Sequence, residues 1–188
     1  MSIRHDPRKV LSFLAECLDT ATTVDAFPGM TRNELGEIIS TAAGFFEGAE
    51  EKAALWVDGA ARGNPGQAGA GMVLETGGKR VVSMGEYLGK ATNNEAEYKA
   101  LILGIKEAGL RGFSHLEIFS DSELMVRQMR GEYRVKSPGL QDLYFQAVKG
   151  LEPFQKVAFH HVPRQENSQA DKMANMAIDA KGLVRLPE

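Results

Sequence analysis

Four acidic residues occupy positions from which their side chains could bind metal ions. Asp58 and Asp121 each end an apolar, strand-like run. An acid there is expected at the rim of a sheet, where ligands of α/β proteins bind. Glu97 and Asp171 each fall in the first turn of a predicted helix. Taken alone, any of the four could instead cap the next element or favour a helix dipole.

As a set, the four acids suggest a specific chemistry. Three or four carboxylates at one rim would repel one another strongly unless cations lay between them. Carboxylate oxygens are ligands that suit Mg²⁺ or Mn²⁺. A pair of such ions ~4 Å apart supports in-line displacement at phosphorus, because one ion activates water and the other stabilises the leaving 3′ oxygen. The spacing of the acids does not by itself establish that they meet.

The elements that would position these acids follow from the periodicity of the chain. Strands are predicted at 53–58, 68–75, 79–88, 116–120 and 156–161. Helices are predicted near 94–110, 122–130, 138–150 and 168–180. This order indicates an α/β fold with a mixed five-stranded sheet, three antiparallel strands and then parallel strands, flanked by helices.

The first 52 residues differ from the rest in charge and pattern. The net charge of the chain is −3, and residues 1–52 carry five basic and nine acidic side chains. Apolar residues recur at helical spacing in 10–18 and in 35–46. Thr31 can cap the second of these helices, and Met30 can pack onto Leu35. We therefore expect a small acidic helical segment or subdomain at 1–52 and a larger domain at 53–188.

Composition excludes several classes of protein. A single cysteine, Cys17, excludes an internal disulfide and a multi-cysteine zinc site. No apolar run approaches the ~18 residues that a membrane span needs. The charged first residues do not resemble a secretory signal. The expected compartment is the cytoplasm, and no membrane partner is expected.

The sequence around the four acids resembles the type 1 ribonuclease H family. The matching strings are Asp58-Gly59-Ala60-Ala61-Arg62-Gly63-Asn64-Pro65-Gly66, Thr92-Asn93-Asn94-Glu95-Ala96-Glu97, Ser120-Asp121-Ser122 and His161-Val162-Pro163-Arg164-Gln165-Glu166-Asn167, followed by Ala170-Asp171. They occur in the family order. The family pattern of two asparagines followed three places later by glutamate selects Glu97 over Glu95.

The resemblance implies a ribonuclease H-like fold and a catalytic domain at 53–188 that cuts the RNA strand of RNA/DNA hybrids. Cutting would be independent of sequence and would leave 5′-phosphate and 3′-hydroxyl ends. Two Mg²⁺ ions are implied in the substrate complex, with Mn²⁺ as a substitute. Asp58 would bridge both ions, Asp171 would complete the ion on the water side, and Glu97 and Asp121 would complete the other.

A histidine is implied beside the acids. His161 occupies the place of the family's loop histidine, which helps to move protons or release product, a role that suits an imidazole near neutral pH. His161 or His160 could instead be a strand-end side chain without a task. Arg164 is a rival, because a guanidinium in the same loop could steady a phosphate.

Substrate contacts are implied at seven positions: Gly59, Asn64, Thr92, Asn93, Asn94, Arg164 and Asn167. The amides of Asn64, Asn93 and Asn94 would face the minor groove of the hybrid, where they can bond 2′-hydroxyls without reading sequence. Thr92 would help to hold a phosphate of the DNA strand. Gly59 would let the backbone approach the RNA closely.

The chain departs from the larger bacterial members in two regions. Residues 130–138 contain three basic side chains and no tryptophan, which resembles the compact, archaeal-like form with a weaker, salt-dependent grip. Residues 1–52 resemble neither the family's hybrid-binding domain nor a basic DNA-reading module. Self-association, docking on the catalytic domain and binding of a protein partner remain open for them.

Two other functions remain to be separated from hybrid cleavage. One is a non-catalytic nucleic-acid-binding module on the same fold, since families can lose chemistry and keep architecture. The other is a nuclease that also cuts double-stranded RNA or favours RNA–DNA junctions. Retention of all four acids argues against the first.

Overall fold

The computed structural model describes residues 20–31, 33–39 and 52–186. The chain divides into two compact units, residues 1–49 and 50–188. The helix predicted at 10–18 lies outside the described residues. None of the helices in the described ranges is long and apolar enough to cross a membrane.

The first unit contains helix α1 (Thr20–Ala26) and helix α2, described over residues 33–39. Between them, the backbone N–H of Glu34 donates to Thr31 Oγ1 at 3.1 Å, which confirms Thr31 as the cap of α2. Met30 and Leu35 lie in one buried apolar cluster, as predicted, together with Ile38.

The second unit is built on a mixed sheet with the strand order β5-β4-β1-β2-β3-β6. Its strands are β1 (Lys52–Gly63), β2 (Gly66–Thr76), β3 (Lys79–Ala91), β4 (His115–Ser120), β5 (Lys156–His161) and β6 (Val184–Leu186). The first three are antiparallel, and β1, β4 and β5 run parallel. The α/β class and mixed sheet are confirmed. The sheet has six strands rather than five, because β6 adds an antiparallel edge beside β3.

Four helices belong to this unit: α3 (Asn93–Leu110), α4 (Glu123–Met129), α5 (Pro138–Leu151) and α6 (Ser168–Ala180). Side chains alternate between the two faces of a strand. Helix α3 lies on the face of β1 that carries Leu55, since a Cβ added to Gly104 would meet the Leu55 side chain at 2.5 Å. Helix α6 lies on the opposite face, which carries Asp58 and its cross-strand neighbour Gly71.

Small residues on β2 and β3 allow α6 to lie close to the sheet. A Cβ on Gly71 would stand 2.1 Å from the backbone oxygen of Ala170, and one on Gly85 would stand 2.2 Å from that of Met173. Neither position can hold a side chain while the helix backbone stays where it is. This approach places the first turn of α6, with Asp171, over the strand that carries Asp58.

Three aromatic rings tie the parallel strands together on the face that carries Asp58. Trp56 stacks on Phe119 with ring centroids 4.4 Å apart, and Phe119 stacks on His160 at 4.7 Å. Trp56 is therefore a packing residue. The stack holds β1, β4 and β5 in register just below the point where β4 ends.

Candidate active site

One cleft of about 420 Å³ is lined by all four predicted acids, Asp58, Glu97, Asp121 and Asp171. Each acid comes from a different element. Asp58 lies within β1 rather than at its end, because the strand continues to Gly63, and Asp121 directly follows β4. The convergence that spacing could not establish is present in the structure.

Asp58 is almost fully buried, with 5% of the residue exposed. Burial, and then the neighbouring charges of Asp121 and Asp171, raise the pKa of its carboxyl from 3.8 to about 8, although the charge of Arg164 acts in the opposite direction. The ionised form is therefore costly in the absence of a cation.

Glu97 is equally buried, at 5% exposure. Burial and then the charges of Asp58 and Asp121 raise its pKa well above the ordinary range. The backbone N–H of Gly59 donates to Glu97 Oε2 at 3.1 Å. A Cβ on Gly59 would lie 2.1 Å from the backbone nitrogen of Glu97, so glycine is needed here for the close approach of β1 to α3. The structure thus supplies a packing reason for Gly59 that differs from an approach to RNA.

Glu95 has a different role from Glu97. Its Oε2 accepts hydrogen bonds from the backbone N–H and the hydroxyl of Thr92, at 2.7 and 2.8 Å, and its own N–H donates to Thr92 Oγ1 at 3.3 Å. These bonds form a capping box at the start of α3 and lower the pKa of Glu95. The Thr92 hydroxyl serves the helix start, and the implied phosphate contact remains a prediction.

Asp121 is held by a side chain for which the sequence suggested another role. Asn167 Nδ2 donates to Asp121 Oδ1 at 2.7 Å and to the backbone oxygen of Val57 at 2.9 Å. Asn167 was predicted to contact substrate, but only 1% of the residue is exposed. Both hydrogen bonds of its amide nitrogen go to the protein, and a contact with substrate stays a prediction.

The Asp171 carboxylate accepts hydrogen bonds from an arginine and an asparagine side chain of the protein itself. Arg164 Nη2 donates to Asp171 Oδ1 at 2.7 Å, from a side chain that is 75% exposed. Asn175 Nδ2 donates to Oδ2 at 3.3 Å and lines the same cleft. Asn175 was missed from sequence, although its position one helical turn after Asp171 could have indicated it.

The two adjacent histidines, His160 and His161, have different surroundings. His161 is exposed at the end of β5 and pairs with Ser120, next to Asp121. Among the described residues it is not one of those that line the cleft. His160 belongs to the aromatic stack, and its Nε2 is buried with no hydrogen-bond partner in the described part of the chain. His160 is thus a packing residue.

The three predicted groove-facing asparagines lie near the cleft. Asn64, Asn93 and Asn94 are all exposed. The backbone N–H of Asn93 donates to Asn64 Oδ1 at 3.1 Å, which joins the β1–β2 turn to the start of α3. Asn93 also lines the cleft. Their surface position leaves them available to a large ligand.

The donor chemistry of the cleft fits a hard divalent cation, since all four candidate ligands are carboxylates. Among residues 20–31, 33–39 and 52–186, no three acidic, histidine or cysteine side chains already have the spacing that holds an ion. Two of the carboxylates are engaged by Arg164 and Asn167. A cation would offset the burial and the repulsion that raise the pKa of Asp58.

Sequence comparisons identify the relatives of the second unit. A family model described as reverse transcriptase-like matches residues 56–177. Ribonuclease HI from Halobacterium salinarum is 42% identical over 125 residues, which are 66% of this chain and 63% of that protein. A bifunctional protein of Mycobacterium tuberculosis is 41% identical over 131 residues, 69% of this chain and 36% of that protein. The chain thus spans about a third to two thirds of the length of these curated relatives.

Solved structures are similar over the same region. The crystal structure of RNase H1 from the halophilic archaeon Halobacterium salinarum superposes with a TM-score of 0.67 at 40% identity, covering 69% of this chain and 98% of that one. LC11-RNase H1 in complex with an RNA/DNA hybrid gives a TM-score of 0.66 at 37% identity, covering 69% of this chain and 98% of that one.

Proposed function

This chain belongs to the type 1 ribonuclease H family, and on that premise we propose that residues 53–188 are a catalytic domain that hydrolyses the RNA strand of RNA/DNA hybrids. The observation that carries the proposal is the convergence of Asp58, Glu97, Asp121 and Asp171 on one cleft. A similar protein, LC11-RNase H1, has been crystallised with such a hybrid. Products with 5′-phosphate and 3′-hydroxyl ends are expected.

The family uses divalent metal ions, and Mg²⁺, replaceable by Mn²⁺, is proposed for this chain. Asp58 would serve two ions, Asp171 would complete one, and Glu97 and Asp121 the other. When bound, such ions activate water and neutralise charge on the phosphate. The protein supplies the placement: Gly59 N–H fixes Glu97, and Asn167 fixes Asp121.

Arg164 and His161 are proposed to assist at the cleft. The Arg164 side chain is 75% exposed and therefore able to leave Asp171. Its guanidinium suits a phosphate oxygen of the substrate. His161 is exposed one residue beyond the stacked His160, where it could take up or release a proton near the leaving product.

The hybrid is proposed to lie along the rim formed by Asn64, Asn93 and Asn94, whose exposed amides suit 2′-hydroxyls. Thr92 would contact a phosphate of the DNA strand. Residues 1–52 are proposed to bind a protein partner or a second copy of the chain. The cytoplasm is the compartment expected for this activity.

A three-substrate assay tests the proposal. Labelled RNA/DNA hybrid, RNA duplex and DNA duplex would be incubated with the full chain in Mg²⁺, in Mn²⁺ or in chelator. We expect ion-dependent cutting of the hybrid RNA, loss of cutting in Asp58→Asn, and retention of cutting in the matched variant Glu95→Gln, which changes an acid that lies outside the cleft lining. An intact hybrid in Mn²⁺ at every salt concentration would overturn the proposal. Binding without cutting would favour the non-catalytic module, and cutting of the RNA duplex would broaden the substrate class.

A further inference from the structure

Asn167 stands at the start of α6, but its side chain does not cap that helix. Asparagine at this position ordinarily accepts a hydrogen bond from a backbone N–H of the first turn. Here the side chain bonds through Nδ2, and its Oδ1 is buried with no partner in the described part of the chain. We propose that Asn167 is a positioning residue that sets the Asp121 carboxylate relative to β1.

The two bonds of the amide define its orientation. Nδ2 carries two hydrogens and meets two acceptors, Val57 O at 2.9 Å and Asp121 Oδ1 at 2.7 Å. Rotating the amide by a half turn would set Oδ1 against both of these oxygens, and acceptors that face one another repel. The amide therefore engages one oxygen of the Asp121 carboxylate and leaves the second oxygen for a cation.

The position of Asn167 gives this contact a wider effect. Val57 directly precedes Asp58, and Asp171 lies one turn after Asn167 on α6. One buried side chain thus joins the strand that carries Asp58, the carboxylate of Asp121 and the helix that carries Asp171. Without the amide all three acids would remain, but their mutual spacing would loosen.

A cation is sensitive to such loosening. Mg²⁺ requires near-ideal octahedral geometry from its ligands. Loss of a group that orients a metal ligand typically weakens metal binding or activity by about 10–100-fold. Asn167 is expected to act on ion binding and on turnover through Asp121, and to have little effect on the binding of the hybrid.

Mn²⁺ binding to the full chain, measured by titration calorimetry, tests this role. The variants are Asn167→Leu and a matched control, Gln128→Leu. Gln128 is also a buried amide, and its Oε1 accepts a hydrogen bond from the Tyr98 hydroxyl at 2.9 Å rather than from a group that orients one of the four acids. Both variants should melt at a lower temperature. Only Asn167→Leu should weaken Mn²⁺ binding, by about 10–100-fold, and lower kcat on the hybrid at unchanged KM.

Two further variants keep the inference falsifiable. Asn167→Ser retains a single donor and should fall between wild type and Asn167→Leu, which provides a readout if the leucine variant does not fold. In an Asp121→Asn background, adding Asn167→Leu should cause no further loss of Mn²⁺ affinity. Unchanged Mn²⁺ affinity in the Asn167 variants, or an equal loss with and without Asp121, would overturn the inference.

The inference deepens the proposed function, but its failure is distinguishable from a failure of that function. A wild-type protein that binds Mn²⁺ with the predicted dependence on Asn167 yet leaves every hybrid intact would refute the nuclease and support the positioning role. Wild-type cleavage with no effect of Asn167 on ion binding would refute only the positioning role. A wild-type protein that neither binds Mn²⁺ nor cuts the hybrid would overturn both.

Discussion

Two glutamates of α3, Glu97 and Glu107, are both buried but have opposite electrostatic surroundings. Their exposed fractions are 5% and 8%. Glu107 Oε1 accepts hydrogen bonds from the guanidinium groups of Arg111 and Arg185. Glu97 faces the like charges of Asp58 and Asp121, which help to raise its pKa.

The difference distinguishes a buried acid that is paired within the protein from a buried acid that is suited to an external cation. Around Glu107 the protein supplies its own positive charges, and the acid joins α3 to the edge strand β6 through Arg185. Around Glu97 the charge of Arg164 counters only part of the rise in pKa, so an external cation would offset the remaining cost of burying the ionised acid. Changing each acid to its amide should therefore have opposite consequences.

Glu97→Gln should produce the largest effect, and it should act on activity. Removing one ion ligand is expected to lower kcat on an RNA/DNA hybrid by about 1,000-fold or more, since the ions carry most of the charge stabilisation. In chelator the same variant should unfold at the same or a higher temperature, because a repelled carboxylate has been removed. Steady-state cleavage and thermal unfolding measure the two effects. Loss of activity together with a large loss of stability would contradict the comparison.

The second prediction concerns pH in the absence of divalent ions. The folded pKa of Asp58, about 8, lies above the ordinary value of 3.8. Because the folded protein binds this proton more tightly than the unfolded chain does, protonation of Asp58 stabilises the fold. This contribution to the free energy of unfolding is fully present below the unfolded pKa and is lost as the pH rises through the folded pKa. The free energy of unfolding in chelator should therefore fall by on the order of 3 kcal/mol between pH 5 and pH 8.

Asp58→Asn and saturating Mg²⁺ are the controls for this pH dependence. The variant lacks the titrating group, and the ion favours the ionised form, so either should flatten the slope. Urea unfolding at several pH values measures it. A slope that is equal in wild type and Asp58→Asn would show that other groups cause the dependence.

Glu107→Gln should act on stability instead. Arg111 and Arg185 would lose their ionised acceptor. The loss in the free energy of unfolding should be limited to about 2 kcal/mol, because water still solvates both partly exposed guanidinium groups. Cleavage activity should stay within a few-fold of wild type. Hydrogen exchange should become faster at β6, where Arg185 lies. A protein of wild-type stability but reduced turnover would reverse the assignment.

The smallest effect is expected from Glu95→Ala, which separates the acid of the capping box from the acid of the cleft. Loss of the bonds to Thr92 should cost about 1 kcal/mol of stability. Turnover per folded molecule should change little, because Glu95 is not among the residues that line the cleft in the described structure. Comparing cleavage rates at low temperature, where both proteins are folded, tests this.

The local sequence pattern was sufficient to predict much of the fold of this molecule. The alternation and turn residues of the hairpins located β1 to β3, although each strand is longer than its apolar run indicated, since backbone pairing continues through small and polar residues such as Arg62. Helical geometry predicts that Glu95 and Glu97 lie on different faces of α3, and the family motif selects Glu97 as the acid of the site.

Other features depend on contacts between distant parts of the chain, and local pattern does not encode them. Strand β6 is three residues long and exists because β3 offers an edge. Asn167 looks like a helix cap or a ligand contact, and its actual partners come from β1 and from the residue that follows β4. His160 and His161 are adjacent, and only the stack on Phe119 distinguishes the packed ring from the exposed one.

The close seating of α6 on Gly71 and Gly85 has a consequence for how substitutions would be tolerated. In a library of single substitutions scored by cleavage alone, these two glycines should be as intolerant as Asp58, although neither carries a chemical group. A parallel score for protein abundance would separate them, since variants at Gly71 and Gly85 would be depleted from cells while Asp58→Asn would accumulate. Libraries meant to alter substrate preference are therefore best confined to the exposed asparagine rim, with the β2, β3 and α6 contact left unchanged.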